Sequence, residues 1–302
     1  MTFSGMAGAL SDAALRKSRL PADRLEVLLN VARSAALAGA RPLKEMFGHL
    51  EGVKQKGEAG NLVTEADLAS ERAVLSVLAE ATPGFAVLAE ESGRRSGEGP
   101  FEWCVDPLDG TTNYAHGFPV FCTSVGLLFE GKPLLGALAL PAFDQLFWAA
   151  PGSGAWCNDK SLQVSHCQQI RDALLATGFA YDRISRLDNN YAEFAHFTHR
   201  SHGVRRAGAA AVDLAFVASG VIDGYWERGL SPWDLVAGVV LVEQAGGVVS
   251  GYGGEELDLT KGRVIACAPG LHGAMVAELA ACQPLPGASY GAPELDRISP
   301  SP

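Results

Sequence analysis

Apolar positions fall into a helical period soon after Pro21-Ala22-Asp23. Leu25, Leu28, Leu29, Ala32 and Ala35-Ala36 share one face up to about Gly39. Residues 1–20 are small and polar with no sustained period, and read as a frayed, disordered N-terminal extension. A second helical face begins after Thr64 with Ala66, Ala69, Ala73, Val74, Val77 and Leu78, and stops at Pro83-Gly84. The pattern then shortens to strand-like runs at Phe85–Leu88, Trp103–Val105, Thr123–Phe129, Leu134–Leu140 and Phe147–Ala150. Gly131-Lys132-Pro133 reads as a hairpin turn between the third and fourth of these.

From Ala173 strands and helices alternate. Strands are expected at Leu174–Thr177, Val204–Arg206, Ile222–Glu227, Val248-Val249 and Val264–Ala268; helices at Asn189–Thr198, Ala209–Ser219, Asp234–Gln244 and Gly270–Cys282. Such alternation predicts α/β layering. The chain thus divides into the extension at 1–20, an N-terminal α+β half at 21–160 and a C-terminal α/β half at 161–283. The tail at 284–302 is rich in Pro, Gly and Ser, and is expected to be disordered.

Composition narrows the function classes. Apolar residues make up 48% of the 302 positions and charged residues 19%, enough for a sizeable core. A net charge of −10 disfavours nucleic acid and anionic lipid as main partners. A phosphorylated metabolite stays compatible only if cations neutralise its site. Six cysteines without a C-x-x-C pair, several in apolar runs, predict buried reduced thiols and a cytoplasmic protein. Neither a signal peptide nor a membrane-length apolar run is evident.

The segment richest in chemistry is Trp103-Cys104-Val105-Asp106-Pro107-Leu108-Asp109-Gly110-Thr111-Thr112. A hydrophobic strand ends in two carboxylates three residues apart. Pro107 forces a turn and Gly110 permits a tight backbone after it. The turn can aim Asp106, Asp109 and the Leu108 carbonyl at one point, a hard oxygen set suited to Mg²⁺. The N–H groups of Gly110 and Thr111 could then face an anion. Read alone, Glu90-Glu91 is a solvated strand end, Asp234 a helix-opening acid and Asp67 a first-turn acid.

Taken together and in order, these pieces resemble the inositol monophosphatase family of Mg²⁺-dependent, Li⁺-sensitive phosphatases over roughly residues 25–280. The resemblance rests on Asn61-Leu62-Val63-Thr64 with Asp67, on Ala89-Glu90-Glu91-Ser92, on Trp103 through His116, and on Trp233 through Gly247. It implies a layered αβαβα sandwich of two sheets, the first larger and antiparallel, the second smaller and mixed, with the site between the halves. It implies two or three Mg²⁺ ions on Glu90, Asp106, the Leu108 carbonyl, Asp109 and Asp234. Thr111 and Asp67 would polarise a nucleophilic water, with Glu90 beside them. Gly110 and Thr111 would hold the phosphate, Lys56 would approach on a mobile loop, and Ala210, Glu227 and Asp234 would meet the substrate. Family members are commonly homodimers. Two departures, Val236 in place of a smaller residue and Ser231-Pro232 before Trp233, bear on packing and pocket shape.

The resemblance favours an enzyme that hydrolyses a small phosphate monoester, inositol 1-phosphate first. The same chemistry on histidinol phosphate, fructose 1,6-bisphosphate or a 3′-phosphoadenosine nucleotide is the alternative. A non-catalytic regulatory protein retaining the fold would show a missing metal ligand, and all the matched ligands are present.

Overall fold

The computed structural model describes residues 9–50, 53–55 and 62–283, with Val53 and Lys54 described in backbone only. Lys56, Asn61 and the tail at 284–302 lie outside the described residues. Eight α-helices are described: α1 (Leu10–Ser18), α2 (Ala22–Met46), α3 (Glu65–Ala81), α4 (Thr111–Ala115), α5 (Tyr191–Arg200), α6 (Ala210–Ala218), α7 (Pro232–Gln244) and α8 (His272–Ala281). The strands in chain order are β1 (Val53–Gln55), β2 (Leu62–Thr64), β3 (Ala86–Ala89), β4 (Gly93–Arg95), β5 (Phe101–Asp109), β6 (Cys122–Phe129), β7 (Lys132–Leu140), β8 (Gln145–Ala150), β9 (Gly154–Cys157), β10 (Lys160–Ser161), β11 (Leu174–Thr177), β12 (Gly203–Arg205), β13 (Gly224–Arg228), β14 (Val248–Ser250) and β15 (Arg263–Cys267).

Apart from the β1–β2 pair, the strands form two sheets. The larger has order β10-β9-β8-β7-β6-β5-β3-β4 and the smaller β12-β11-β13-β15-β14. All pairs of the large sheet are antiparallel except β3–β5. The small sheet is mixed, parallel at β12–β11–β13 and antiparallel at β15.

Five layers follow from how the side chains alternate. Trp103 and Val105 of β5 face α2 and α3, where they meet Leu28, Ala32 and Val74. Cys104 between them faces the middle layer of α6 and α7, with Leu214, Leu235 and Val239. Tyr225 of β13 packs into that same middle layer from the small sheet, whereas Trp226 points the other way toward Phe197 of α5 and Met275 of α8. Every residue of α7 from Leu235 to Val242 is buried, as a helix held between two sheets requires. The helix lies close on the large sheet because Gly126 and Gly136 have no side chain. A Cβ on Gly126 would stand 2.4 Å from Val236 Cγ1, so the larger Val236 is accommodated there.

Several sequence expectations change. Residues 9–20 are not frayed: α1 packs Leu10 and Ala14 into the core clusters. The cause is Glu243 at the end of α7. It accepts the Leu10 N–H at 2.7 Å, the Ser11 N–H at 3.0 Å and the Ser11 hydroxyl at 2.6 Å, serving as a remote N-terminal cap. Helix α2 continues past Gly39 to Met46, with Pro42 inside it. Gly39 is a contact glycine, its missing Cβ standing 2.6–2.8 Å from Val74, Ser70 and Thr123. The β6–β7 turn is centred on Glu130-Gly131, both at positive φ, rather than on 131–133. All six cysteines are free, three of them buried. Among the described residues no helix is long and apolar enough to cross a membrane.

Candidate active site

Strand β5 delivers the central acids. Its pairing with β6 is interrupted between Asp106 and Asp109, where Pro107 cannot donate to the ladder. The Pro107 carbonyl instead accepts the hydroxyls of Ser70 at 2.7 Å and Thr123 at 3.1 Å. Asp106 takes the Leu108 N–H at 2.9 Å and fixes the turn. Gly110 follows at φ +91°, and a Cβ there would meet the Val120 carbonyl at 2.8 Å, so only glycine fits. Thr111 opens the short α4, and its hydroxyl lies 3.0 Å from the Leu108 carbonyl and 3.1 Å from Asp67 Oδ1.

Asp67 is itself held rigid. Its Oδ2 accepts the Thr64 N–H at 2.8 Å and the Thr64 hydroxyl at 2.6 Å at the start of α3. Glu90 leaves the end of β3, with its N–H on the Val105 carbonyl at 3.1 Å. The turn after it is pinned by Glu71, which accepts the Glu91 N–H at 3.0 Å. Asp234 lies in the first turn of α7 and accepts the Ser231 N–H at 2.7 Å. Beyond the dipole role expected of a helix-opening acid, it caps the start of α7 while lining the acidic cavity.

Asp109 is gripped from the opposite half of the chain. The N–H groups of Ala210 and Ala211, at the start of α6, donate to it at 3.2 and 2.8 Å. These are helix-terminal N–H groups with no intrahelical partner, so an anion is their natural match.

Glu90, Asp106, Leu108, Asp109, Gly110, Thr111, Ala210, Glu227 and Asp234 all line one cavity of about 370 Å³. Asp67 does not line it; fully buried, it reaches the cavity through the Thr111 hydroxyl. The Ala210 N–H is taken by Asp109, so this residue offers the cavity only its other atoms. Lys56 lies outside the described residues.

The electrostatics follow from burial. Burial pushes Asp106 well above the usual carboxylate range, reinforced by Glu90, Asp109 and Asp234 and by its hydrogen bond to Glu90. Burial likewise raises Asp234, with Asp109 next. Asp109 rises to about 6 through burial, held back by the α6 amides. Glu90, Asp106, Asp109 and Asp234 thus crowd one cavity, where Glu90 and Asp109 each raise the proton affinity of both Asp106 and Asp234. A hard oxygen-ligated dication answers both the repulsion and the donor chemistry. The side chains converge without forming a closed coordination group of three among the described residues.

On the other side of the cavity, burial raises Glu227 to about 7, and it accepts the Tyr225 hydroxyl at 2.6 Å. A Cβ on Gly178 would fall 2.1–2.3 Å from the Glu227 carboxylate atoms, so this glycine makes room for it. Trp233, part of the sequence motif around Asp234, also lines the cavity, as do Phe179, Tyr181, Arg183 and Arg206, which carry no site signal in the sequence. His116, near the acids in sequence, is exposed and does not line the cavity.

The sequence model of the inositol monophosphatase family matches residues 24–284. An inositol-1-monophosphatase of Synechocystis is 47% identical over 86% of this chain and 91% of its own length. A Nus factor SuhB of Pseudomonas aeruginosa is 38% identical over 80% of this chain and 92% of its own length. The solved inositol monophosphatase of Anabaena superposes with a TM-score of 0.80 at 46% identity, covering 86% of this chain and 98% of that one. With the family model spanning most of the chain, and relatives and structures matching nearly end to end, the chain belongs to the inositol monophosphatase family and is a phosphatase.

Proposed function

We propose that the chain hydrolyses a small polyol phosphate, inositol 1-phosphate first, with Mg²⁺ bound in the acidic cavity. The observation that carries this reading is the convergence of Glu90, Asp106, Asp109 and Asp234 on one cavity from three separate parts of the chain. These carboxylates and the Leu108 carbonyl would hold two or three ions. Bound there, Mg²⁺ supplies the positive charge that offsets the acids, attracts the phosphate dianion and acidifies water.

The protein's own part is positioning. Asp67 holds the Thr111 hydroxyl, and Thr111 lines the cavity where it can orient a water for in-line attack. The Gly110 and Thr111 N–H groups would anchor the phosphate, and a left-handed glycine is what presents them together. Glu227 would accept hydroxyls of the polyol from the wall formed with Gly178 and Ala210. Phosphoryl transfer asks chiefly for alignment and charge neutralisation, which suits a cavity with few bases.

The test is phosphate release from inositol 1-phosphate with Mg²⁺, with chelator, and with added Li⁺. The expected result is turnover with Mg²⁺, none with chelator and inhibition by Li⁺. Turnover unaffected by chelation would sink the reading.

A further inference from the structure

Asn190 precedes α5, is only 2% exposed and is not among the residues that line the cavity. Its side-chain amide donates both hydrogens, to the Thr177 hydroxyl at 2.7 Å and to the Gly178 carbonyl at 2.7 Å. Its amide oxygen accepts the indole N–H of Trp226 at 2.7 Å. The Thr177 hydroxyl in turn donates to the Trp226 carbonyl at 2.5 Å. The amide can face only one way, because an indole N–H only donates and a backbone carbonyl only accepts. Asn190 holds this place with a left-handed backbone, φ +68° and ψ 7°, which asparagine tolerates better than most residues.

Each partner of Asn190 is one step from the cavity. Strands β11 and β13 run parallel, and their pairing ends with Thr177 opposite Trp226. Beyond that pair the Asn190 amide takes over from the ladder and holds the Gly178 carbonyl. Gly178 lines the cavity, and a Cβ on it would overlap the Glu227 carboxylate. On the other strand, Trp226 directly precedes Glu227, and its ring turns away to Phe197 of α5 at 4.4 Å. The first turn of α5 also backs the next lining residue: the rings of Tyr191 and Phe194 lie 5.3 and 5.6 Å from that of Phe179. A buried polar network with its donors and acceptors matched fixes one arrangement of the groups it joins. Here those groups are the two strand ends between which the Glu227 carboxylate is seated.

We propose that Asn190 is a positioning residue for substrate recognition: through Thr177, Gly178 and Trp226 it fixes the seat of Glu227, and so sets the affinity for a phosphate monoester whose alcohol part carries hydroxyls. This rests on the reading above that Glu227 accepts hydroxyls of the polyol. The network belongs to β11, β13 and the start of α5, whereas Asp106 and Asp109 lie on β5 and Asp234 on α7. Its loss therefore weakens the grip on the alcohol part and spares the grip on the phosphate.

The experiment measures, at saturating Mg²⁺, KM and kcat for inositol 1-phosphate and the inhibition constant of inorganic phosphate, which has no alcohol part. KM and the inhibition constant do not depend on the folded fraction of a preparation, so lost stability alone moves neither. Asn190→Gly keeps the left-handed backbone and removes the amide; Thr177→Val keeps the shape and removes the hydroxyl. In both, as in Glu227→Gln, KM should rise about tenfold while the inhibition constant of phosphate stays at its wild-type value. Thr177→Ser, which keeps the hydroxyl, should keep the wild-type KM. Asn190→Gly combined with Glu227→Gln should raise KM no further than Glu227→Gln alone, as residues acting as one unit do. The positioning role is overturned, and the Glu227 reading stands, if only Glu227→Gln raises KM, if the increases multiply in the double variant, or if the phosphate constant rises in step with KM. An unchanged KM in Glu227→Gln removes the hydroxyl contact itself and the role of Asn190 with it. No phosphate release by the wild type with Mg²⁺ sinks the phosphatase reading, and both roles fall with it.

Discussion

Asp109 and Ala211 stand 102 positions apart, yet the Ala211 N–H donates to Asp109 Oδ2 at 2.8 Å. One carboxylate therefore both faces the acidic cavity and ties β5 of the N-terminal half to α6 of the C-terminal half. The dipole of α6 favours the anion at that place, and the anion satisfies amides that would otherwise be orphaned.

Asp109→Asn removes a proposed ligand while keeping the shape of the side chain. We expect kcat/KM to fall by about 10²-fold or more, in line with the loss of a preorganised charge partner. Stability should change little, because the weaker grip on the α6 amides, about 1–2 kcal/mol, is offset by relief of like-charge repulsion. Thermal unfolding and Mg²⁺-saturated kinetics on one preparation check both parts. Normal turnover would contradict the ligand assignment.

Glu227 gives a pH dependence with a defined sign. Its folded-state pKa of about 7 lies above the ordinary value of 4.5, so the folded protein binds more protons than the unfolded chain between those limits. The associated stability is fully present below about pH 4.5 and is lost as pH rises through 7. Relative to Glu227→Gln, whose amide carbonyl can still accept the Tyr225 hydroxyl, the wild type should therefore lose stability between pH 5 and pH 8, by roughly 3 kcal/mol at most. Urea unfolding of both proteins at the two pH values, with chelator throughout, measures it. A difference that is flat with pH would show Glu227 ionised at its ordinary value.

Gly178→Ala probes the same acid by sterics alone. The added Cβ would overlap the Glu227 carboxylate, so Glu227 must move or the strand must shift. The expected outcome is a rise in KM for the polyol phosphate by about tenfold, with the Mg²⁺ concentration at half-maximal activity unchanged. Equal changes in both parameters would mean that the displacement spreads to the acidic side.

The acidic side of the site was legible in the sequence because its spacing is local. Asp106, Pro107, Asp109 and Gly110 encode a strand, a turn and an aim within five positions. Arg183 and Arg206 of the cavity lining were not legible. Arg183 sits where it does because Arg228 reaches Asp182 from another strand, and no period in the chain records that pairing. Gly39 was misread as a helix stop because a contact glycine and a terminal glycine look alike until the partner helix is seen. Helix α1 was hidden for a related reason. A helix of nine residues is too short to be stable alone and forms only through tertiary support, here from Glu243.

Glu243→Ala tests that support. The substitution removes the acceptor for two backbone N–H groups and for the Ser11 hydroxyl, which are otherwise withdrawn from water. Burial also raises the Glu243 carboxyl, so part of the loss is offset by no longer confining a charge. The expected net cost is about 2 kcal/mol, seen as a lower thermal midpoint, with α1 becoming open to proteolysis while the rest of the chain stays resistant. Turnover at saturating Mg²⁺ should persist, because Glu243 ends α7 and Asp234 lies in its first turn, held there by Ser231. Unaltered protease resistance of α1 would mean that Leu10 and Ala14 hold the helix by apolar contact alone.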